Sequence, residues 1–271
     1  MVSADSDNLA HGSYYVRATD VDLYFMTTIP YYFSMIQEMA AAHTTLKGIG
    51  IEGLYRDYKL TWVIARARTN FLSHPRWMDQ IELLSWAQQN VRLNCPRVVR
   101  GYAGNELLFD AMTIWGIIDP MRKRPVRPQP ILEILGTADP GKHYVDPSLP
   151  RLPEWDETEK LEMLPALETR PYFYDVDVNG HVNNVMYLHW IINALGRTFL
   201  SGHEVEMIDV KWEKQTYAED EVTVETALTG KKDGICSFIH RIRNENGVTV
   251  FSGVSEWRER RDKFQALGKE L

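Results

Sequence analysis

Two carboxylates, an amide, a glycine and an imidazole fall within the seven positions Asp175-Val-Asp177-Val-Asn179-Gly180-His181. Nothing else in the chain is so dense in chemistry. A general base, a group to orient it and a helix N-terminus to receive developing negative charge are the minimum for hydrolysing an activated acyl group. The helix comes directly after this run: Val182-Asn183-Asn184 opens an apolar stretch, and Asn183 or Asn184 is a natural N-cap. The backbone N–H groups of Gly180, Val182, Asn183 and Asn184 are thereby expected to face an oxyanion. Gly180 lets the backbone approach closely or take a positive φ.

Such a loop must be held by larger elements. Tyr31–His43 and Asn184–Leu195 carry apolar residues at three- and four-residue spacing, which predicts two helices buried on most of their surface. Pro30 suits the first turn of the earlier one. Strand-like runs follow each helix: Leu60–Phe71, Gln80–Gln88 and Arg97–Tyr102, then Glu206–Trp212, Glu221–Leu228 and Ile235–Arg243. Gly104-Asn105 and Asn246-Gly247 mark turns, and after each a Phe and a Trp stand six apart, Phe109 with Trp115 and Phe251 with Trp257. An even separation places both rings on one face of a strand. The order of a short strand, a helix and several antiparallel strands thus occurs twice, an α+β plan that resembles a tandem, or double, hot-dog: two antiparallel sheets, each wrapped around a long central helix.

Ten of the thirteen prolines lie between Pro120 and Pro171, which predicts an extended segment between the copies. The expected organisation is a first copy over residues 14–130, a Pro-rich linker over 131–165, a second copy over 166–260 and a polar tail over 261–271. Setting Asp20-Val21-Asp22 against Asp175-Val176-Asp177 also sets Tyr32 against Tyr187 without a gap. Where the second copy has Asn179, Gly180, His181 and Asn183, the first has Tyr24, Phe25, Met26 and Thr28. Catalysis is therefore expected in the C-terminal half, with the apolar N-terminal half shaping a pocket and Asp22 solvated or capping.

Composition narrows the function. The 271 residues are 44% hydrophobic and 25% charged, with both signs interspersed, so a folded globular protein is expected. A net charge of −7 argues against general nucleic-acid binding. The polar, acid-bearing N-terminus does not read as a signal or transit peptide, and no apolar run reaches the roughly 20 residues of a membrane span. Cys95 and Cys236 are isolated, so no metal site, cofactor or disulfide framework is expected, and a reducing cytoplasm fits best. A local basic patch, Arg122-Lys123-Arg124 with Arg127, stands out against the acidic whole.

The segment Asp175-Val-Asp177-Val-Asn179-Gly-His181-Val-Asn-Asn-Val-Met-Tyr187, with Leu60-Thr-Trp62-Val-Ile and Trp115-Gly-Ile-Ile-Asp-Pro-Met-Arg122-Lys-Arg124, is similar to the acyl-[acyl carrier protein] thioesterases of plant plastids and bacteria. The resemblance runs from about residue 14 to residue 258. It implies catalytic roles for Asp177, Asn179 and His181. Plant members add a Glu-Cys pair on the following strand; Gln215-Thr216 stands there instead, so a cysteine nucleophile has no counterpart and Cys236 lies too far along to replace it. The implied chemistry is water attack on the thioester, with Asp177, helped by His181, taking the proton, Asn179 positioning base or water, and Gln215 bonded to the water or His181. Direct attack by Asp177 is the covalent alternative. The implied partner is acyl carrier protein, acidic and met by Arg122, Lys123, Arg124 and Arg127, with Met35, Met39 and Trp62 lining the acyl tunnel. An acyl-CoA thioesterase and an inactive acyl-binding protein are the alternatives, and either a monomer or a homodimer is compatible.

Overall fold

The computed structural model describes residues 2–157 and 161–260. The tail expected over 261–271 lies outside the described residues. Backbone contacts divide the chain into two compact units, residues 1–149 and 150–271.

The first unit opens with β1 (Ser3–Ala4) and β2 (Ala10–Tyr15), followed by helices α1 (Ile29–Leu46) and α2 (Ile51–Tyr58). Strands β3 (Thr61–Phe71), β4 (Gln80–Ala87), β5 (Cys95–Ala103) and β6 (Glu106–Asp119) come next, then β7 (Arg124–Pro125), α3 (Gln129–Leu135) and α4 (Pro140–His143). The sheet runs β1-β2-β4-β5-β6-β3, antiparallel throughout, with β7 paired to β6. Helix α1 is the central element: Pro30 sits in its first turn, and Tyr32, Phe33, Met35, Ile36 and Met39 are buried. Tyr32 meets Phe71 and Phe109 edge-on, with centroids 4.9 and 5.2 Å away, contacts worth about 0.5–1.5 kcal/mol each beyond their buried area. Met39 lies so close to β2 that a Cβ at Gly12 would stand 2.6 Å from its sulfur. Glycine is what allows helix and strand to approach there.

The second unit repeats the plan with β8 (Glu162–Met163), β9 (Leu167–Thr169), α5 (Asn184–Ala194), α6 (Arg197–Gly202), β10 (His203–Trp212), β11 (Val222–Lys232), β12 (Ile235–Asn244) and β13 (Thr249–Glu259). Its strands pair antiparallel in the order β10-β13-β12-β11, with β8 and β9 on β11. Tyr187 on α5 stacks on Phe251 at 5.3 Å, as Tyr32 meets Phe109 in the first unit. Beneath lies a buried polar chain: Thr226 Oγ1 and His240 Nδ1 are 3.0 Å apart, His240 Nε2 and Ser255 Oγ 2.8 Å, and Trp257 Nε1 donates to Ser255 Oγ at 2.7 Å. Burial drives the His240 imidazole down to about 3, so it is held neutral.

The expectation of an extended linker over 131–165 is corrected for its first part. Helix α3 buries Ile131, Leu132 and Leu135 against Ile49, Leu54 and Ile117, and Ala138 N donates to Ala87 O at 3.1 Å. Proline confined to the first turn of α3 and α4 starts these helices rather than forbidding them.

Candidate active site

The loop expected to carry the chemistry is a folded turn. A short 3₁₀ turn, Phe173–Asp175, is capped by Asp175 Oδ2, which accepts Tyr172 N at 2.7 Å. Val176 and Val182 then form an antiparallel bridge. Across it Asp177 N donates to His181 O at 2.8 Å and Gly180 N to Asp177 O at 3.0 Å. The Asp177 carboxylate braces the turn from within: Oδ1 accepts Asn179 N at 2.8 Å and, at a long 3.4 Å, His181 N. Oδ2 lies 3.5 Å from Asn179 Nδ2, a weak contact that leaves most of its accepting capacity for another donor.

Two bonds fix the turn to the unit. Val182 N donates to Thr216 O at 2.9 Å, and Asn183 N to Asp175 O at 2.7 Å. Asn183 is the N-cap of α5, its Oδ1 accepting Val185 N at 3.0 Å, and Trp212 Nε1 donates to Asn184 O at 3.2 Å. His181 is therefore half-buried at the N-terminal end of α5, where the helix favours negative charge.

These bonds correct the expected oxyanion donors. The N–H groups of Gly180, Val182 and Asn183 donate to the carbonyls of Asp177, Thr216 and Asp175, because a turn this tight consumes its own amides. What α5 offers an anion is the positive end of its dipole, at the turn that begins with Asn184.

Gln215 approaches the imidazole by way of a neighbour. Its Oε1 accepts the Tyr217 hydroxyl at a long 3.4 Å, and the Tyr217 ring meets His181 edge-on at 5.1 Å. Gln215 thus reaches the imidazole through Tyr217, whose backbone N is pinned to Asp220 Oδ2 at 2.8 Å. Tyr217 is not evident from sequence; the only signal is its place two residues beyond Gln215. Thr216 is fully buried. It lies beneath Tyr187, whose hydroxyl burial pushes up to about 12. Cys236 pairs in register with Trp257, six residues along β13 from Phe251, the partner of Trp212. Six residues of strand are roughly 20 Å, so Cys236 sits at the far end of the sheet.

The first unit builds the same turn. Val21 bridges Thr27, Asp22 N donates to Met26 O at 2.8 Å, Phe25 N to Asp22 O at 3.0 Å, and Thr28 N to Asp20 O at 2.9 Å. Asp22 Oδ1 accepts Tyr24 N at 2.8 Å and Met26 N at 3.1 Å, so Asp22 is a turn brace. Phe25 holds φ +63°, and its counterpart Gly180 holds +77°. Glycine is thus not required there for its φ. Its difference lies above the backbone: Phe25 stacks on Trp77 at 5.8 Å, whereas a Cβ at Gly180 would meet nothing within 4 Å. The first copy covers the turn, and the second leaves it open.

The remaining expected residues lie in the first unit. Met35 and Met39 are buried on α1. Trp62, on β3, donates from Nε1 to Ile49 O at 2.9 Å and packs on the Ile49–Leu54 cluster. Arg122, Lys123, Arg124 and Arg127 are exposed around the turn after β6; Arg122 Nε lies 3.7 Å from Asp119 Oδ2. Among the described residues no group of three or more His, Cys, Asp or Glu is arranged to hold a metal, and no helix is long and apolar enough to cross a membrane.

The sequence matches the acyl-ACP thioesterase N-terminal domain over residues 7–133 and the acyl-ACP thioesterase C-terminal domain over residues 158–259. Among curated relatives, oleoyl-acyl carrier protein thioesterase 2, chloroplastic, of Arabidopsis thaliana is 26% identical over 279 residues, covering 90% of this chain and 75% of the relative. Among solved structures, an acyl-ACP thioesterase from Bacteroides thetaiotaomicron superposes with a TM-score of 0.78 at 16% identity, covering 94% of this chain and 100% of that one. The 12:0-ACP thioesterase from Umbellularia californica gives 0.75 at 17% identity, covering 93% and 94%. At such identities the superpositions establish the double hot-dog fold. With both halves matched in order by the two domains of one family, the chain belongs to the acyl-ACP thioesterases.

Proposed function

We propose that this protein hydrolyses fatty acyl-[acyl carrier protein] to free fatty acid and carrier thiol, with the chemistry in the turn Asp177–His181. One observation carries the assignment of the site. The two units build the same hydrogen-bonded turn, and the second differs by presenting Asn179, Gly180 and His181 where the first presents Tyr24, Phe25 and Met26. Fold alone cannot account for that difference.

In this mechanism water is activated by Asp177 through Oδ2, the oxygen least used by the turn, with His181 assisting and Asn179 orienting. Attack on the thioester carbonyl gives an oxyanion that the N-terminal end of α5 stabilises. Collapse breaks the C–S bond, and the proton taken from water returns to the departing thiolate. Thr216 offers no nucleophile, being buried. The first unit supplies the acyl pocket, with Met35, Met39 and Trp62 as lining, and Arg122, Lys123, Arg124 and Arg127 meet the acidic carrier. A reducing cytoplasm is the compartment we propose, in keeping with two free cysteines.

The test is release of free fatty acid from acyl-carrier-protein and acyl-CoA thioesters of graded chain length. Preferential release from the carrier protein is expected. No release from any thioester by folded protein would overturn the enzymatic reading.

A further inference from the structure

The hairpin between β4 and β5 breaks a local rule. Val91 and Asn94 exchange backbone bonds at 2.9 and 3.0 Å, closing a two-residue turn with Arg92 and Leu93 at its tip. Arg92 is held at φ +57°, with its carbonyl accepting Asn90 Nδ2 at 2.8 Å. Left-handed backbone is unfavourable for a residue with a side chain, because Cβ crowds the following carbonyl, and such turns favour Asn or Asp followed by Gly. The counterpart hairpin of the second unit obeys that preference: Asp233 and Gly234 stand at its tip, at φ +52° and +78°. The first unit replaces an acid and a glycine by Arg92 and Leu93, both exposed. A turn that forgoes its best residues without gaining buried contacts points to a use for the side chains.

The surroundings indicate what that use is. Arg92, Leu93 and Asn90 form one wall of an open cleft of about 290 Å³, and Arg127, Pro128 and Gln129 form the other. Among the described residues no carboxylate lies within 4 Å of Arg92 or Arg127, nor of Lys123 and Arg124 in the preceding turn. By contrast Arg17, Arg56, Arg100, Arg241, Arg243 and Arg258 each face an acid. Two uncompensated cations, Arg92 and Arg127, thus line one cleft, and Lys123 and Arg124 precede Arg127 in a chain whose net charge is −7. Exposed Val91 and Leu93 flank Arg92 in the hairpin, and exposed Met121 directly precedes the basic run 122–127. Spread cations around apolar contacts match an extended acidic, amphipathic protein surface better than a point anion.

Resting on the thioesterase reading above, we propose that the Arg92-Leu93 hairpin tip and Arg127 form a docking cleft for the acidic face of the substrate's carrier protein. Arg92 completes the basic run 122–127 from the opposite wall.

The test replaces Arg92 and Leu93 together by Asp and Gly, the turn of the second unit, which relieves the backbone and so guards against misfolding; Arg127→Glu is the second variant. Two readouts are needed: binding of unacylated carrier protein by fluorescence anisotropy, and kcat/KM on acyl-carrier protein relative to the same acyl group on N-acetylcysteamine. Both variants are expected to weaken carrier binding and lower that ratio by about tenfold at low ionic strength, the modest end of steering effects. The gap closes at about 0.5 M salt as screening takes over. Unchanged binding and ratio in an enzyme that hydrolyses the carrier thioester would overturn the proposal, as would equal losses on both substrates. Absence of hydrolysis by the unaltered enzyme would sink the thioesterase reading instead, with the binding arm still readable.

Discussion

Replacing Asp177 separates the bracing role seen in the turn from the base role we propose for the same carboxylate. Its Oδ1 braces the turn through Asn179 N at 2.8 Å, while Oδ2 is held only by a 3.5 Å contact. Asp177→Asn keeps an acceptor for the turn but abolishes the charge and the base. General-base assistance is worth about 10²–10⁴-fold, so kcat should fall by that factor, a barrier increase of about 2.7–5.5 kcal/mol, with the thermal midpoint little changed. Asp177→Ala loses the brace as well. The good bond is charge-assisted but half-exposed, so about 1 kcal/mol of stability should go with it. Asp22 is the internal control, accepting Tyr24 N at 2.8 Å in the same turn of the first unit. Asp22→Ala should therefore match Asp177→Ala in denaturant unfolding to within about 0.5 kcal/mol, yet retain turnover. Steady-state acid release and urea unfolding on the three variants provide the measurements. An Asp177→Asn enzyme keeping more than about a tenth of wild-type kcat would refute a base role and leave Asp177 a brace alone.

Gly180→Phe should eliminate hydrolysis while the protein still melts cooperatively, since Phe25 already occupies the equivalent φ in the first unit; a folded, active variant would show that the open space over the turn is irrelevant. Asn183→Ala removes the α5 cap, whose Oδ1 accepts Val185 N at 3.0 Å, and should cost about 1 kcal/mol in chemical unfolding, whereas Asn183→Asp should cost little. His240 titrates near 3 when folded and at the ordinary 6.5 when unfolded. Between those values the unfolded chain binds the extra proton, so this group's stabilisation is complete above about pH 6.5 and falls by up to about 1.4 kcal/mol per unit as pH drops toward 3. His240→Gln should flatten that part of the acid limb in unfolding curves between pH 7 and 4, and an unchanged slope would contradict the buried neutral imidazole.

The two central helices and most strands are legible in the sequence because their apolar spacing is regular and their boundaries carry chemical marks, such as Pro30 and Asn183. The seven-residue run is legible because its chemistry is contiguous. Other features are hidden for physical reasons. Helix α3 stands among prolines, and only its packing on Ile49 and Leu54 shows that it belongs to the first core. Tyr217 reaches His181 across a turn contact, Val182 N to Thr216 O, and no periodicity announces such a contact. The availability of the Gly180, Val182 and Asn183 amides cannot be read at all, because their acceptors are set by turn geometry. Arg92 stays inconspicuous since an arginine in a loop is ordinary until its φ and its unpaired state are known.

The turn built twice within one chain has a consequence for how its chemistry can change. In a dimer of identical subunits every substitution arrives in duplicate, so a residue that improves one turn must be tolerated in the other. Here Phe25 and Gly180 are encoded separately, and the backbone bonds around them are alike. The first turn can thus drift toward bulk and apolarity, and the second can stay polar and uncovered, without either sequence constraining its sibling.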